Sequence, residues 1–133
     1  MRFVIAILIM FLPPGAGAAA DGDARNGQRL FALHCAACHG LEARGDGPLA
    51  DSMKTAPPDL TVLSGGHQGS LPMRAIAARI ANRSGGNSQH AEMPVYGWFF
   101  EGPAVTIPAD DGTPLETTRA IADLLAWLAV VQD

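Results

Sequence analysis

The chain has 133 residues, with 9 Lys+Arg, 13 Asp+Glu and a formal net charge of −4. This charge has the wrong sign for binding nucleic acid or an anionic membrane surface. The acids are concentrated near the end of the chain, where residues 92–133 contain one base, Arg119, and seven acids. An acidic surface suits a basic protein partner, or serves solubility alone. The length is enough for one domain and excludes two.

The first 20 residues have the pattern of a secretory signal peptide. Arg2 is followed by the apolar run FVIAILIMFL and then by the small residues of PPGAGAAA. Ten apolar residues at about 1.5 Å each are too short to span a hydrocarbon core about 30 Å thick. We therefore predict cleavage after Ala20, with Ala18 as the other candidate. The mature protein is expected to be exported to a bacterial periplasm, without a membrane span, as a single domain over residues 21–133.

Two helices are predicted in the first half of this domain. Asp23 is a suitable N-cap for a helix that runs through Phe31 into the cysteines. A short helical turn is predicted at Pro48–Met53. The second helix is expected to start at Ser70, with Pro72 just inside it, and to end in the SGGN sequence at 84–87.

The last helix has the clearest pattern. Thr113-Pro114-Leu115-Glu116 has the form of a capping box with proline at the first helical position. Apolar residues then recur at helical spacing, at Ile121, Leu124, Leu125, Leu128 and Val131. The AVTI sequence within 103–108 could instead pair as a short strand or hairpin edge. The predicted fold class is all-α: three to five helices with long Gly/Pro-rich loops, which would be marginally stable without something additional in the core.

Both cysteines of the chain lie in the sequence HCAACHG at 34–40. A redox-active dithiol would need a strand before its cysteines, whereas here a helix precedes them. A structural zinc site would need four ligands, and adjacent Cys38 and His39 cannot easily both point at one tetrahedral ion. A disulfide between Cys35 and Cys38 would close a strained loop and leave His39 unexplained.

The interpretation that uses all three residues is covalent attachment of one haem. Cys35 and Cys38 would add to its two vinyl groups as thioethers, and His39 would bind the iron as the proximal ligand. The predicted export agrees with this, because covalent haem attachment is associated with the outside of the cytoplasmic membrane. The sequence therefore predicts haem c as the cofactor.

The sixth position of the iron is predicted to be held by Met93. The proline that follows it would stiffen a loop that must hold a weak thioether ligand. His90 is the main rival as distal ligand, with His67 behind it. Met53 and Met73 are predicted to fill the core.

The chain resembles a small single-haem class I cytochrome c over nearly all of the predicted domain. The matching sequences are NGQRLFALHC and CAACHG up to residue 40, GDGPLADSMKTAPPDLT at 45–61, MP at 93–94 and the closing helix IADLLAWLAVV. Of these, CAACH is the most specific. The resemblance implies a cytochrome c fold whose helices pack around the covalently bound haem.

The resemblance also implies particular contacts. The first and last helices would cross closely at Gly27, with Phe31 packed near Trp127. The proximal histidine would donate a ring N–H to the carbonyl of Pro57 or Pro58, which would hold its orientation.

One segment departs from the family pattern. Tyr96–Thr113 is longer than the family's usual bridge to the last helix, and its aromatic residues Tyr96, Trp98 and Phe99 are predicted to shield the haem from water. An exposed part of this aromatic cluster could instead serve in docking a partner. The departure from the pattern therefore bears on partner specificity and on the exact position of the sixth ligand.

These predictions favour an exported electron carrier over an enzyme. With both axial positions of the iron bound, no site for substrate remains, and one-electron transfer between redox partner proteins is expected. The partners are expected to be basic-faced, and the protein would act as a monomer or as a subunit of a redox complex. The alternative is a haem c subunit of a redox enzyme, or a gas-binding or sensing haem protein with an open sixth position.

Overall fold

Four α-helices and one antiparallel pair of strands make up the residues that the structure, a computed structural model, describes: 22–81, 93 and 96–133. The helices are α1 (Ala24–His34), α2 (Ala36–His39), α3 (Met73–Ile80) and α4 (Arg119–Val130). The strands are β1 (Ala104–Pro108) and β2 (Pro114–Thr118), and 3₁₀ turns lie at Ala50–Ser52 and Gly65–His67. The predicted signal peptide lies outside the described residues. Within them, every helix is too short or too polar to cross a membrane.

The first helix begins where the sequence predicts. The side chain of Asp23 accepts hydrogen bonds from the backbone N–H of Arg25 at 2.9 Å and of Asn26 at 3.2 Å, which satisfies two donors of the first turn. The helical turn expected at Pro48–Met53 is also present, as the 3₁₀ turn at Ala50–Ser52.

The second predicted helix, α3, starts later than expected. Pro72 occupies the N-cap position, and no side chain caps the helix, so Ser70 does not start it. The predicted inner face is present: Ala77 and Ile80 are buried. The predicted end at residues 84–87 lies outside the described residues.

The capping box predicted at Thr113–Glu116 is wrong, because Pro114, Leu115 and Glu116 lie in strand β2. It pairs with β1 in a register that sets buried Leu115 opposite buried Ile107. The contact between these two side chains and the hydrogen bonds between the strands stabilise the hairpin more than the capping pattern would stabilise a helix start. The last helix therefore begins at Arg119, where the Thr118 side chain accepts the N–H of Ile121. The AVTI sequence, for which a strand was one possibility, lies in strand β1. The fold is therefore mostly helical with a small two-stranded sheet, which the predicted all-α class does not include.

Helices α1 and α4 cross at close range, as the resemblance implies. Gly27 is buried at the crossing, and a Cβ at this position would overlap the carbonyl oxygen of Asp123. The rings of Phe31 and Trp127 pack with their centroids 4.3 Å apart. The Asp123 carboxylate, 1% exposed, accepts hydrogen bonds from the backbone N–H of Asp23 and the side-chain amide of Asn26, both at 2.7 Å. Glycine here lets the two backbones approach, and the carboxylate ties α4 to the start of α1.

The residues after α4 anchor the loop that follows the CAACH sequence. Gln132 donates its side-chain amide to the carbonyl of Leu60 at 2.8 Å and accepts the N–H of Ser64 at 2.9 Å. The N–H of Asp133 donates to the carbonyl of Thr61 at 2.8 Å. This loop is thereby held against the end of α4.

Candidate cofactor site

The CAACH sequence forms a tight helical corner. Helix α1 ends at His34, Cys35 joins it to α2, and α2 is the single turn Ala36–His39. The carbonyl of Cys35 accepts the N–H of Cys38 at 3.2 Å and of His39 at 2.9 Å. Because residues three apart on a helical turn share a face, the two cysteines are presented to the same side.

That side is a cavity of about 380 Å³, lined mostly by apolar side chains. Its walls include Leu60 and Leu63 from the anchored loop, Ile80 from α3, and Leu124 and Leu128 from α4. The volume lies within the range of about 300–1,000 Å³ that is usual for ligand and cofactor sites. The cavity is therefore large enough for an organic group, and its mostly apolar lining suits an apolar one.

All four residues of the predicted site, namely Cys35, Cys38, His39 and Met93, line this one cavity. His67 does not line it, since it lies in an exposed 3₁₀ turn, and His90 lies outside the described residues. Met73 packs against the core, as predicted.

Met53 also lines the cavity, although the sequence places it only as core filler. It follows the turn at Ala50–Ser52, and the start of this turn is held against α2 by a hydrogen bond from the N–H of Leu49 to the carbonyl of Ala37 at 2.9 Å. No periodicity in the sequence around Met53 signals this position.

The surroundings of Cys35 do not favour thiol–disulfide exchange. Both are half-buried free thiols. Burial, followed by the charge of neighbouring Cys38, raises the pKa of Cys35 to about 11. Redox-active cysteines have lowered pKa values, because the thiolate is the reactive form. The thiol of Cys35 is therefore protonated at neutral pH, which counts against the dithiol interpretation.

Burial lowers the pKa of His39, so its imidazole is neutral at neutral pH, the form that binds metals. The backbone of Pro58 acts against this lowering of the His39 pKa. Of the two prolines predicted to contact the ring, Pro58 is therefore the one that affects it. No regular hydrogen bond forms at Nδ1 of His39, since this buried atom has no partner within 22–81, 93 and 96–133. Gly45, at φ +81°, lets Pro57 and Pro58 pack closely against its own backbone, because a Cβ there would overlap the Pro57 carbonyl oxygen.

The model of the family described as Cytochrome c matches residues 24–129, which is most of the chain. The chain belongs to the cytochrome c family. No curated protein and no solved structure matches it significantly. Membership of this family means covalently bound haem c as cofactor and haem-based electron transfer as the general activity.

The residues of this cytochrome fit that group. Two thiols and a neutral imidazole meet at one apolar cavity, and the buried Nδ1 of that imidazole has no partner among the described residues. Within the described part of the chain, no group of three or more His, Cys, Asp or Glu side chains is placed to hold a metal ion by itself.

The aromatic segment of this cytochrome behaves differently from its predicted shielding role. Tyr96 lines the cavity, and its hydroxyl donates to the carbonyl of His34 at 2.7 Å. Trp98 and Phe99 do not line the cavity and are 70% and 45% exposed. Phe99 instead packs its ring against that of His34, with centroids 4.5 Å apart. Of the three, Tyr96 is the residue that lines the cavity.

Proposed function

We propose that this cytochrome is an exported electron carrier with one haem, held by thioether bonds from Cys35 and Cys38 and ligated by His39 and Met93. The observation that carries the proposal is that these four side chains line a single apolar cavity although Met93 is distant in the sequence. Methionine and histidine as the two axial ligands leave no position for a substrate. Such a pair suits a carrier better than an enzyme.

The bound haem supplies a reversible one-electron change at its iron. The surrounding side chains tune and protect it. Leu60, Ile80 and Leu124 line the cavity, and their apolar groups would disfavour the more highly charged ferric state and so raise the reduction potential. The loop anchored by Gln132 keeps one wall fixed, so little rearrangement is expected when the charge changes.

The N-terminal sequence pattern supports export to a periplasm, with residues 1–20 removed. The acidic C-terminal part supports redox partners with basic surfaces. Brief electron exchange requires only small interfaces, and these suit a monomer that meets its partners transiently or a subunit bound in a redox complex.

The test begins with the full chain expressed together with haem-attachment machinery. We expect visible haem bands in both oxidation states, and colour that stays with the polypeptide after denaturing acid and solvent. Colour that washes out would contradict thioether attachment. Absence of any haem band would overturn the proposal.

Methionine variants then test the sixth ligand. Met93→Ala is expected to abolish the weak far-red band of ferric methionine ligation and to allow carbon monoxide to bind the ferrous protein. Met53→Ala is the matched control inside the same cavity, and Met73→Ala is the control outside it; both should keep the band. A parent protein that is high-spin and binds carbon monoxide would favour the enzyme-subunit or gas-sensing alternative.

A further inference from the structure

A second cavity, about 780 Å³ in volume, lies on the opposite side of α3 from the cofactor cavity and shares no lining residue with it. It is bounded by α3, by β2 and by the segment Gly97–Gly102. Small side chains, Ala77 and Ala78, form its floor. We call it the Trp98 groove, after the large ring on its wall.

Trp98 is unusual among the aromatic residues of this chain. It is 70% exposed, and its ring contact with another described ring is to Phe99, at 5.6 Å between centroids. An indole left in water at the wall of a groove contributes little to the core. Tryptophan is, however, the residue type most enriched where protein partners bind.

The charged side chains of the groove are unbalanced. Glu101 and Glu116 both line it and are exposed. Arg74 also lines it, but its guanidinium is occupied: it donates to the Thr113 hydroxyl at 2.7 Å and lies 3.9 Å from the Asp111 carboxylate. The groove thus presents negative charge beside an open aromatic face.

We propose that the Trp98 groove is the docking site for a basic segment of a redox partner protein, whose lysine or arginine side chain lies on the Trp98 ring between Glu101 and Glu116. A cation on an indole face is attracted by the ring quadrupole, and nearby carboxylates add to the attraction. The small floor residues leave room for the aliphatic stem of such a side chain. This inference depends on the proposed electron-carrier function for the identity of the partner.

The position of the groove relative to the cofactor supports the same occupant. Trp98 contacts Phe99, Phe99 contacts His34 at 4.5 Å between ring centroids, and His34 is bonded to Cys35. A partner seated on Trp98 thus contacts a ring that is connected, through Phe99 and His34, to the cysteine-bearing corner. A docking site for an unrelated basic ligand would not need this connection.

The test is a titration of the reduced, haem-loaded protein with a decalysine peptide, followed by the indole N–H signals in NMR. The chain has two tryptophans, so each spectrum contains its own control: Trp98 lines the groove, and Trp127 is buried in the core. We expect the Trp98 signal to shift with added peptide while the Trp127 signal stays. An unmoved Trp98 signal would overturn the proposal.

Charge variants separate docking in the groove from general attraction. Glu101→Gln with Glu116→Gln is expected to weaken peptide binding about tenfold, the effect of losing two modest ion pairs. Asp51→Asn with Asp110→Asn removes the same charge at exposed positions outside the groove and should weaken binding by less than about twofold. Equal weakening in both pairs would show that net charge alone attracts the peptide and would overturn the proposal.

Trp98→Ala tests the indole itself. It should weaken binding about threefold to tenfold, as expected for one exposed cation–π contact, whereas Leu41→Ala, at a residue 74% exposed outside the groove, should leave binding unchanged. Equal effects of the two variants would contradict the proposal. Visible spectra of each variant are recorded first, so a failure of haem attachment, which would overturn the carrier function, is distinguished from a failure of docking.

Discussion

Replacing Gly27 by alanine tests the crossing on which the cytochrome fold depends. The added Cβ would overlap the carbonyl oxygen of Asp123 and would lie 2.9 Å from the Cβ of Trp127. These atoms belong to the framework of α4, so relief requires movement of the whole helix. Overpacking costs about 1–3 kcal/mol, and a backbone clash belongs at the upper end. Alanine has a helix propensity better than that of glycine by about 1 kcal/mol. The expected net loss in unfolding free energy is therefore about 2 kcal/mol, or roughly 30-fold in the unfolding equilibrium constant.

The assay is urea unfolding of the haem-loaded protein, followed by far-UV circular dichroism, with the slope checked for two-state behaviour. Ala32→Gly, on the exposed face of the same helix, is the matched control and should lose about 1 kcal/mol through helix propensity alone. Position 27 thus favours glycine over alanine, whereas position 32 favours alanine over glycine. A Gly27→Ala protein as stable as the parent, or more stable, would refute the close crossing.

Three further outcomes are expected. Asp123→Ala should lower the unfolding free energy by about 3 kcal/mol, because it removes a buried carboxylate that accepts two 2.7 Å hydrogen bonds; an unchanged urea midpoint would contradict this. Burial raises the pKa of Tyr96 above its ordinary value of 10.0, so its contribution to stability is complete below pH 10 and is lost as pH rises through the raised pKa. Thermal unfolding between pH 8 and 12 should therefore show an alkaline decline that is weaker in Tyr96→Phe, and an identical decline would refute the reasoning. Cys35→Ala with Cys38→Ala should give an unfolded, protease-sensitive chain, because the apolar cavity loses its occupant; a compact, protease-resistant form would argue against that.

Local features were predictable because their causes lie within a few residues. The N-cap at Asp23 depends on the donors of the next turn, and the buried face of α4 depends on a helical repeat. The cytochrome c resemblance added the Gly27 crossing and the contact of Phe31 with Trp127, both confirmed.

Features that depend on distant partners were not predictable in the same way. Thr113–Glu116 satisfies a helix-capping pattern, yet most of it lies in β2 because Ile107 lies across from Leu115 and both are buried. Trp98 was expected over the haem and instead stands exposed at a separate groove, since the direction of its loop is set by ring contacts made by Phe99 and Phe100.

By itself, the sequence determined the attachment motif and the family, because haem attachment chemistry needs only the five residues from Cys35 to His39 in their order. Only the tertiary structure decided which remote side chains join them. It brought Met93, Met53 and Tyr96 to one cavity and left Trp98 outside, because such contacts depend on the path of the loops and on which helix faces pack together. That path is set by the crossing of α1 and α4 and by the C-terminal anchor, neither of which is a property of neighbouring residues.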